Sequence, residues 1–311
     1  MPAQHDHPTN PWSTSASADQ VTPTGLARPS VRVRADVAAA SHTGLHRDNN
    51  EDHFIVARLG RSLEVLATNL PEGRVPSRYE EAGYALAVAD GMGGAAAGEV
   101  ASALALSIGT RLALDESVWH LRLDRQEARA LVDRVTQYFR EIDRLVSEQA
   151  RSKPGLAGMG TTLTVGYSVG PDLFIFHVGD SRAYLLRSGQ LRQLTRDQTL
   201  AQELVDAGHL PQEMTASHEL RHVLTQAIGT EFGEIRLAIH QLELEDGDRF
   251  LLCTDGLTDM ASDQVIAGAL ERATTANAAC QDLVRIALEG GGHDNVTVVI
   301  AFYEVVPSLA G

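Results

Sequence analysis

Thr161-Thr-Leu-Thr-Val-Gly-Tyr-Ser-Val169, Gly170-Pro-Asp172 and Leu173-Phe-Ile-Phe-His-Val178 together decide the fold class. Two apolar runs of strand length flank a turn made of Gly, Pro and Asp, which is hairpin chemistry. A second pair follows, with Arg182–Arg187 and Gln190–Leu194 joined by a Ser188-Gly189 turn. Hairpins make antiparallel neighbours, whereas parallel strands need a long crossover. The stretch from 161 to 194 therefore reads as an antiparallel meander.

Working outward, Val100, Leu104, Ile108 and Leu112 recur every four residues, and Leu131, Val135, Phe139, Ile142 and Val146 form a second apolar helical face. Leu200–Ala207 is a short helix stopped by Gly208, and the next thirty or so residues, carrying His209, His218 and His222, read as an irregular flap. Ile235–Ile239 and Leu242–Leu244 alternate as strand, turn at Glu245–Asp248, and pair with Arg249–Thr254. A helix over Asn277–Glu289 and a final strand at Val296–Ile300 close the domain. Val31–Arg34 and Phe54–Ala57 are strand-like and bracket a polar segment at 41–53, while two prolines and a glycine make 68–82 a loop. Helices combined with hairpin-connected strands predict an α+β fold with antiparallel sheets.

The 311 residues suit one large domain, set here at 35–303. Residues 1–34, rich in Pro, Ser, Thr and Ala, read as a disordered leader, and 304–311 as a C-terminal tail. Acidic residues outnumber basic ones 41 to 26, a balance that argues against nucleic acid and anionic membranes as partners. Only Cys253 and Cys280 are present, which implies no disulfide framework and fits a reducing cytoplasm. The apolar stretch from Ala95 to Leu114 is broken by Glu99, Ser102, Ser107 and Arg111, so no membrane span is expected.

The chemistry lies in carboxylates at strand ends. Tyr84-Ala-Leu-Ala-Val-Ala89 delivers Asp90 to Gly91-Met-Gly-Gly94. Asp255 follows Leu251-Leu-Cys-Thr254, and Asp294 precedes Asn295 and the last strand. Asp before Gly or Asn is a common turn residue, so any one of these alone is uninformative. Three from distant segments point to a site for hard cations such as Mg²⁺ or Mn²⁺, which take oxygen ligands. Two such ions activate water and clamp a phosphoryl group. Arg47 stands shortly before Glu51-Asp52, and a guanidinium binds phosphate oxygens bidentately. Asp180, in His177-Val-Gly-Asp-Ser-Arg182, is a fourth carboxylate between two meander strands.

Seven motifs occur in order: Arg-x-x-Asn-Glu-Asp at 47–52, Asp-Gly-Met-Gly-Gly at 90–94, Gly-Glu at 98–99, Met-Gly-Thr-Thr at 159–162, Gly-Asp-Ser-Arg at 179–182, Asp-Gly-Leu-Thr-Asp at 255–259 and Asp-Asn at 294–295. Over residues 35–303 the chain resembles the metal-dependent Ser/Thr protein phosphatases of the 2C type, particularly their bacterial members. The resemblance implies a four-layer α-β-β-α sandwich of two antiparallel sheets flanked by helices. It implies hydrolysis of phosphoserine and phosphothreonine by water bridging two Mn²⁺ or Mg²⁺ ions per subunit, with a third, weaker ion.

On this pattern Asp90 bridges both metals and the Gly91 carbonyl completes one coordination shell. Asp255 and Asp294 bind the other metal, Asp180 joins Asp255 at the third site, Glu51 and Asp52 act through water, and Arg47 binds phosphate. Phosphorylated proteins, with a partner Ser/Thr kinase among them, are the implied substrates of what is expected to be a monomer.

The pattern also has departures. His42 replaces an aspartate common before the first Gly, Ala95 replaces a bacterial histidine, and Met92 stands where eukaryotic members carry a proposed general-acid histidine. His46 and His293 are the neighbouring suspects for proton donation. Two other readings compete: a serine hydrolase using Ser181, and a non-catalytic pseudophosphatase acting as a binding module.

Overall fold

The structure, a computed structural model, describes residues 31–93, 97–116, 123–230 and 233–307. Strands β1 (Val31–His42), β2 (Asp52–Glu64) and β3 (Arg78–Met92) precede helices α1 (Ala97–Leu114) and α2 (Arg125–Ser152). The short β4 (Gly160–Thr161) leads into β5 (Leu163–Val169), β6 (Asp172–Val178), β7 (Arg182–Arg187) and β8 (Gln190–Gln193). After α3 (Leu200–Asp206) come β9 (Ala238–Glu243) and β10 (Arg249–Cys253), then α4 (Asp255–Thr258), α5 (Asp263–Arg272), α6 (Ala276–Glu289) and β11 (Val296–Pro307).

One sheet has the order β1-β11-β10-β7-β8 and the other β2-β3-β5-β6-β9, with β4 on the end of β3. Between the sheets, Leu86 and Val88 of β3 and Leu173 and Ile175 of β6 meet Ala183 and Leu185 of β7, Leu252 of β10 and Val299 of β11. Their chain neighbours point outward. Ala87, Ala89, Phe174 and Phe176 pack with α1 and α2, while Tyr184, Leu251, Val298 and Ile300 pack with α5 and α6. Strands buried on both faces read as continuous apolar runs, not alternations, and this is why the meander was so legible. The layers run helix, sheet, sheet, helix, as expected.

Helix α2 starts at a capping box. Asp124 accepts from the Gln126 and Glu127 amides, and Glu127 reaches back to the Asp124 amide. Such a cap is worth about 1 kcal/mol. In α1 the expected stripe is only partly the buried one: Ile108 is buried and Val100, Leu104 and Leu112 pack at the edge of the core, whereas Ala97, Ala101 and Ala105 are fully or almost fully buried. Small residues let α1 lie close on β3. Its length and composition would suffice to cross a bilayer, but it is packed against β3 and α2.

Four boundaries differ from expectation, and so does one pairing, since β9 pairs with β6 and not with β10, which lies in the other sheet. Val31–Arg34 pair with Glu304–Pro307, so the leader boundary at 34 and the tail boundary at 304 both cut through a strand ladder. The loop expected over 68–82 ends earlier, because Arg78–Ala82 pair with Gly60–Glu64. The meander is split: β5 and β6 belong to one sheet, β7 and β8 to the other. The chain changes sheets at Gly179–Ser181, where Gly179 has φ of 110° and its amide donates to Gln198 Oε1. Helix α5 was not anticipated. Residues 1–30 of the expected leader, and Ala95, lie outside the described residues.

Candidate metal and phosphate site

Arg47, Glu51, Asp90, Gly91, Asp180, Asp255 and Asp294 line one cleft of about 570 Å³ at the edge of the sandwich. Asp90 comes from β3 in one sheet. Asp255 follows β10 and Asp294 precedes β11, both in the other sheet. Asp180 stands where the chain passes between the sheets.

Asp90 is held through its backbone. The Asp90 amide donates to Thr162 Oγ1 at 3.0 Å, and the Asp90 carbonyl accepts from Thr161 Oγ1 at 2.8 Å and the Thr162 amide at 2.9 Å. Gly91 donates to the Glu51 carbonyl at 3.2 Å. A Cβ on Gly91 would come within 2.1 Å of the Gly98 carbonyl oxygen. Only glycines at 91 and 98 therefore let β3, α1 and the Glu51 segment meet here.

Asn295 ties the 43–51 segment to the same edge. Its amide nitrogen donates to the Thr43 and Asn49 carbonyls at 2.8 and 2.9 Å, and its oxygen accepts from the Glu51 amide at 2.7 Å. Arg47 Nη2 donates to Asp294 Oδ2 at 2.6 Å. His42, in place of the aspartate, accepts the Gly44 amide on Nδ1 at 2.9 Å. An imidazole acceptor thus supports the turn that precedes Arg47.

Asp52 does not line the cleft. It lies behind the wall, 5% exposed, directly across the ladder from Asp90. Thr254 Oγ1 donates to its Oδ2 at 2.8 Å, while its Oδ1 is buried without a partner. Burial, followed by repulsion from Asp255 and Asp294, pushes the Asp52 carboxyl up to about 7. Asp90 is raised well above the carboxylate range by burial, then by Asp52, Asp255, Asp180 and Asp294. Asp180 is raised by burial, then by Asp255 and Asp197. Burial also raises Glu51.

These residues fit hard cations. The donors are all oxygen, one buried carboxylate oxygen is orphaned, and the crowded negative charge calls for compensation by divalent ions.

Ser181 is fully buried and shares a hydrogen bond with Thr162 Oγ1 at 2.7 Å. A nucleophile must reach its substrate, so the serine-hydrolase reading falls. His46 and His293 face each other with ring centroids 4.8 Å apart, and His293 lines the cleft, as does Met92.

Sequence reasoning missed Arg221, His222, Thr162 and Asp259 as lining residues. Asp259 and Thr162 lie inside the Asp-Gly-Leu-Thr-Asp and Met-Gly-Thr-Thr motifs, whose remaining polar side chains are the signal for them. Nothing in the local sequence marks Arg221 or His222.

Residues 76–289 match the family described as Protein phosphatase 2C. The chain belongs to that family. Among protein phosphatase 2C relatives, serine/threonine protein phosphatase PstP of Mycobacterium tuberculosis is 39% identical over 255 residues, covering 79% of this chain and 47% of PstP. Protein phosphatase PhpP of Streptococcus pneumoniae is 32% identical over 270 residues, covering 85% of this chain and 96% of PhpP. The crystal structure of the PstP catalytic domain in complex with two manganese ions has a TM-score of 0.67 at 36% identity, covering 89% of this chain and 99% of that one. The chain spans about half the length of full PstP.

Proposed function

We propose that this chain is a metal-dependent phosphoprotein phosphatase that hydrolyses phosphoserine and phosphothreonine. The observation that carries this reading is the convergence of Asp90, Asp180, Asp255 and Asp294, from two sheets, around a cleft that also holds Arg47. Membership of the protein phosphatase 2C family and the two manganese ions of the PstP catalytic domain support it.

Asp90, Asp255, Asp294 and the Gly91 carbonyl are the residues that would hold the central pair of Mn²⁺ or Mg²⁺ ions. Asp180 with Asp255 would hold a third, and Glu51 and Asp52 would act through water. When bound, such ions activate water and neutralise phosphoryl charge. The protein's own residues supply the rest. Arg47 presents its guanidinium to the phosphate oxygens, oriented by Asp294 at 2.6 Å. Hydrogen bonds joining the Asp90 backbone with Thr161 and Thr162, and Asn295 with the 43–51 segment, hold the ligating oxygens in place before an ion binds.

The substrates would be phosphorylated proteins in the cytoplasm, a partner Ser/Thr kinase among them, with the chain acting as a monomer. Phosphate release from phosphoserine and phosphothreonine peptides, with and without Mn²⁺, tests the reading. Turnover should require the ion and vanish with chelator. Full turnover by metal-stripped protein would overturn the metal-dependent mechanism, and none in saturating Mn²⁺ or Mg²⁺ would favour the pseudophosphatase.

A further inference from the structure

Asp143 sits one residue from Ile142 and three from Val146, both buried on the core face of α2. Its own side chain is half-buried, and its Oδ1 accepts the Gly229 amide at 2.8 Å. Burial holds this carboxyl above its ordinary value, with the Gly229 bond and Arg151 acting against that. A charged acceptor makes such a bond roughly twice as strong as a neutral one. Gly229 is itself seated on α2. It has φ of 83° and no room for a side chain, since a Cβ there would lie 2.4 Å from Val146 Cγ1.

In the other direction the turn at 227–230 is joined to β4. Ile228, fully buried, donates its amide to the Thr161 carbonyl at 2.8 Å and accepts the Thr161 amide at 3.0 Å. A Cβ on Gly160 would lie 2.7 Å from both Met92 Cε and Thr230 Cγ2, so β4 is clasped between the turn and the end of β3. Thr161 pairs with Gly91 in the β3–β4 ladder, and its Oγ1 donates to the Asp90 carbonyl at 2.8 Å. Hydrogen bonds and main chain thus run without a break from Asp143 through Gly229, Ile228 and Thr161 to Asp90.

We propose that Asp143 is a positioning residue for the metal pair: it fixes the turn at Gly229, the turn fixes β4, and β4 holds Asp90 and the Gly91 carbonyl at the spacing the ions need. The inference rests on the proposed function for the presence of that pair. Arg47 is carried by another segment, tied down through Asn295 and Asp294. The route from Asp143 therefore reaches metal ligands and bypasses the phosphate contact. Loss of the Asp143 acceptor should appear in metal affinity and kcat, and leave KM for a small aryl phosphate unchanged.

In the full chain, Asp143→Ala should weaken calorimetric Mn²⁺ binding at the tight sites by about 2–30-fold, the range for residues that modulate coupling without touching the ligand, and lower kcat with it. Asp143→Asn keeps an acceptor oxygen and should restore most of both. Asp124→Ala removes the cap of the same helix; it should lower the melting temperature while Mn²⁺ affinity stays at the wild-type value. Coupling is reciprocal, so in the wild type saturating Mg²⁺ should slow hydrogen exchange at the Gly229 amide more than at Gly247, whose amide donates to the Tyr303 carbonyl in the turn between β9 and β10. The exchange measurement decides the matter even if Asp143→Ala does not fold. Wild-type Mn²⁺ affinity and kcat in Asp143→Ala, an equal loss of affinity in Asp124→Ala, or equal slowing at Gly229 and Gly247 would overturn the role of Asp143 and leave the proposed function standing. A wild-type chain that binds neither ion and releases no phosphate would overturn the proposed function itself.

Discussion

Asp52 and Asp90 stand directly opposite each other in the β2–β3 ladder, two carboxylates on adjacent strands. Asp52 belongs to the buried interior and Asp90 to the cleft wall. Burial and repulsion from neighbouring carboxylates raise both carboxyls, and a pH dependence of the metal-free protein follows from it.

The sign is set by the raised Asp52 value. Its carboxyl holds a proton up to about 7 when folded, against 3.8 as the ordinary value. Between those limits the folded state binds more protons than the unfolded one, so stability is full below about 4 and is lost as pH rises through about 7. In chelator, the melting temperature should therefore fall from pH 5 to pH 8. At pH 8, Asp52→Asn should raise it by the equivalent of about 1–3 kcal/mol. Thermal melts of wild type and variant across that range check this; a metal-free melting temperature that climbs with pH would refute it.

Arg47→Ala should lower kcat/KM on a phosphopeptide by roughly tenfold to a hundredfold, the loss of a charge-assisted contact worth about 1.5–3 kcal/mol. The Arg47–Asp294 pair is about half exposed, so stability should change by less than about 1 kcal/mol. Steady-state kinetics alongside a melt separate the two effects. Wild-type kinetics in the variant would make Arg47 a surface residue.

Asp90→Asn and Asp255→Asn should each abolish turnover and tight Mn²⁺ binding, because the amide keeps the shape but removes the charge a hard cation needs. Asp180→Asn should keep the central pair and slow turnover or alter its metal dependence. Isothermal titration of the three variants decides. Tight binding retained by Asp90→Asn but lost in Asp180→Asn would invert the roles.

Two glycines of α1 give an internally controlled test of close packing. A Cβ at Gly98 would lie 2.7–2.9 Å from Gly91 backbone atoms and Glu51 Cδ, whereas at Gly109 its nearest neighbour is Ile142 Cδ1 at 3.4 Å. Ala is favoured over Gly in helices by up to about 1 kcal/mol, but overpacking costs about 1–3 kcal/mol. Gly98→Ala should thus destabilise the protein and weaken Mn²⁺ binding by displacing Gly91, while Gly109→Ala should be neutral or stabilising. Equal effects at the two positions would show that Gly98 is not a contact point.

What could be read from the sequence was whatever local chemistry determines. The double-faced strands of the meander, the capped and periodic α2, and the Asp-Gly and Asp-Asn turns carrying Asp90, Asp255 and Asp294 all announce themselves within a few residues. The illegible parts depend on distant partners. Arg78–Ala82 looks like loop because it follows Pro71, Gly73 and Pro76; it is strand because it lies against Gly60–Glu64, where Arg61 reaches Glu81 at 2.5 Å. The sheet change at Gly179–Ser181 is invisible because a hairpin and a crossing between sheets use the same turn residues. Helix α5 buries only Ile266, Ala269 and Leu270, too short a stripe to read. His222 meets Asp259 only because the segment carrying Arg221, His222 and Leu224 lines the cleft, which no local pattern encodes.

The sheet change has a mechanical consequence. The sandwich is a two-ply laminate whose plies, among the described residues, meet through side-chain packing and share no backbone ladder. The cleft lies on the seam, with Asp90 on one ply and Asp255 and Asp294 on the other. Ions bound there would act as rivets through both plies. Their binding free energy would add to the cohesion of the laminate as RT ln(1 + [L]/Kd), so sliding of one ply over the other would open the seam and empty it in a single movement.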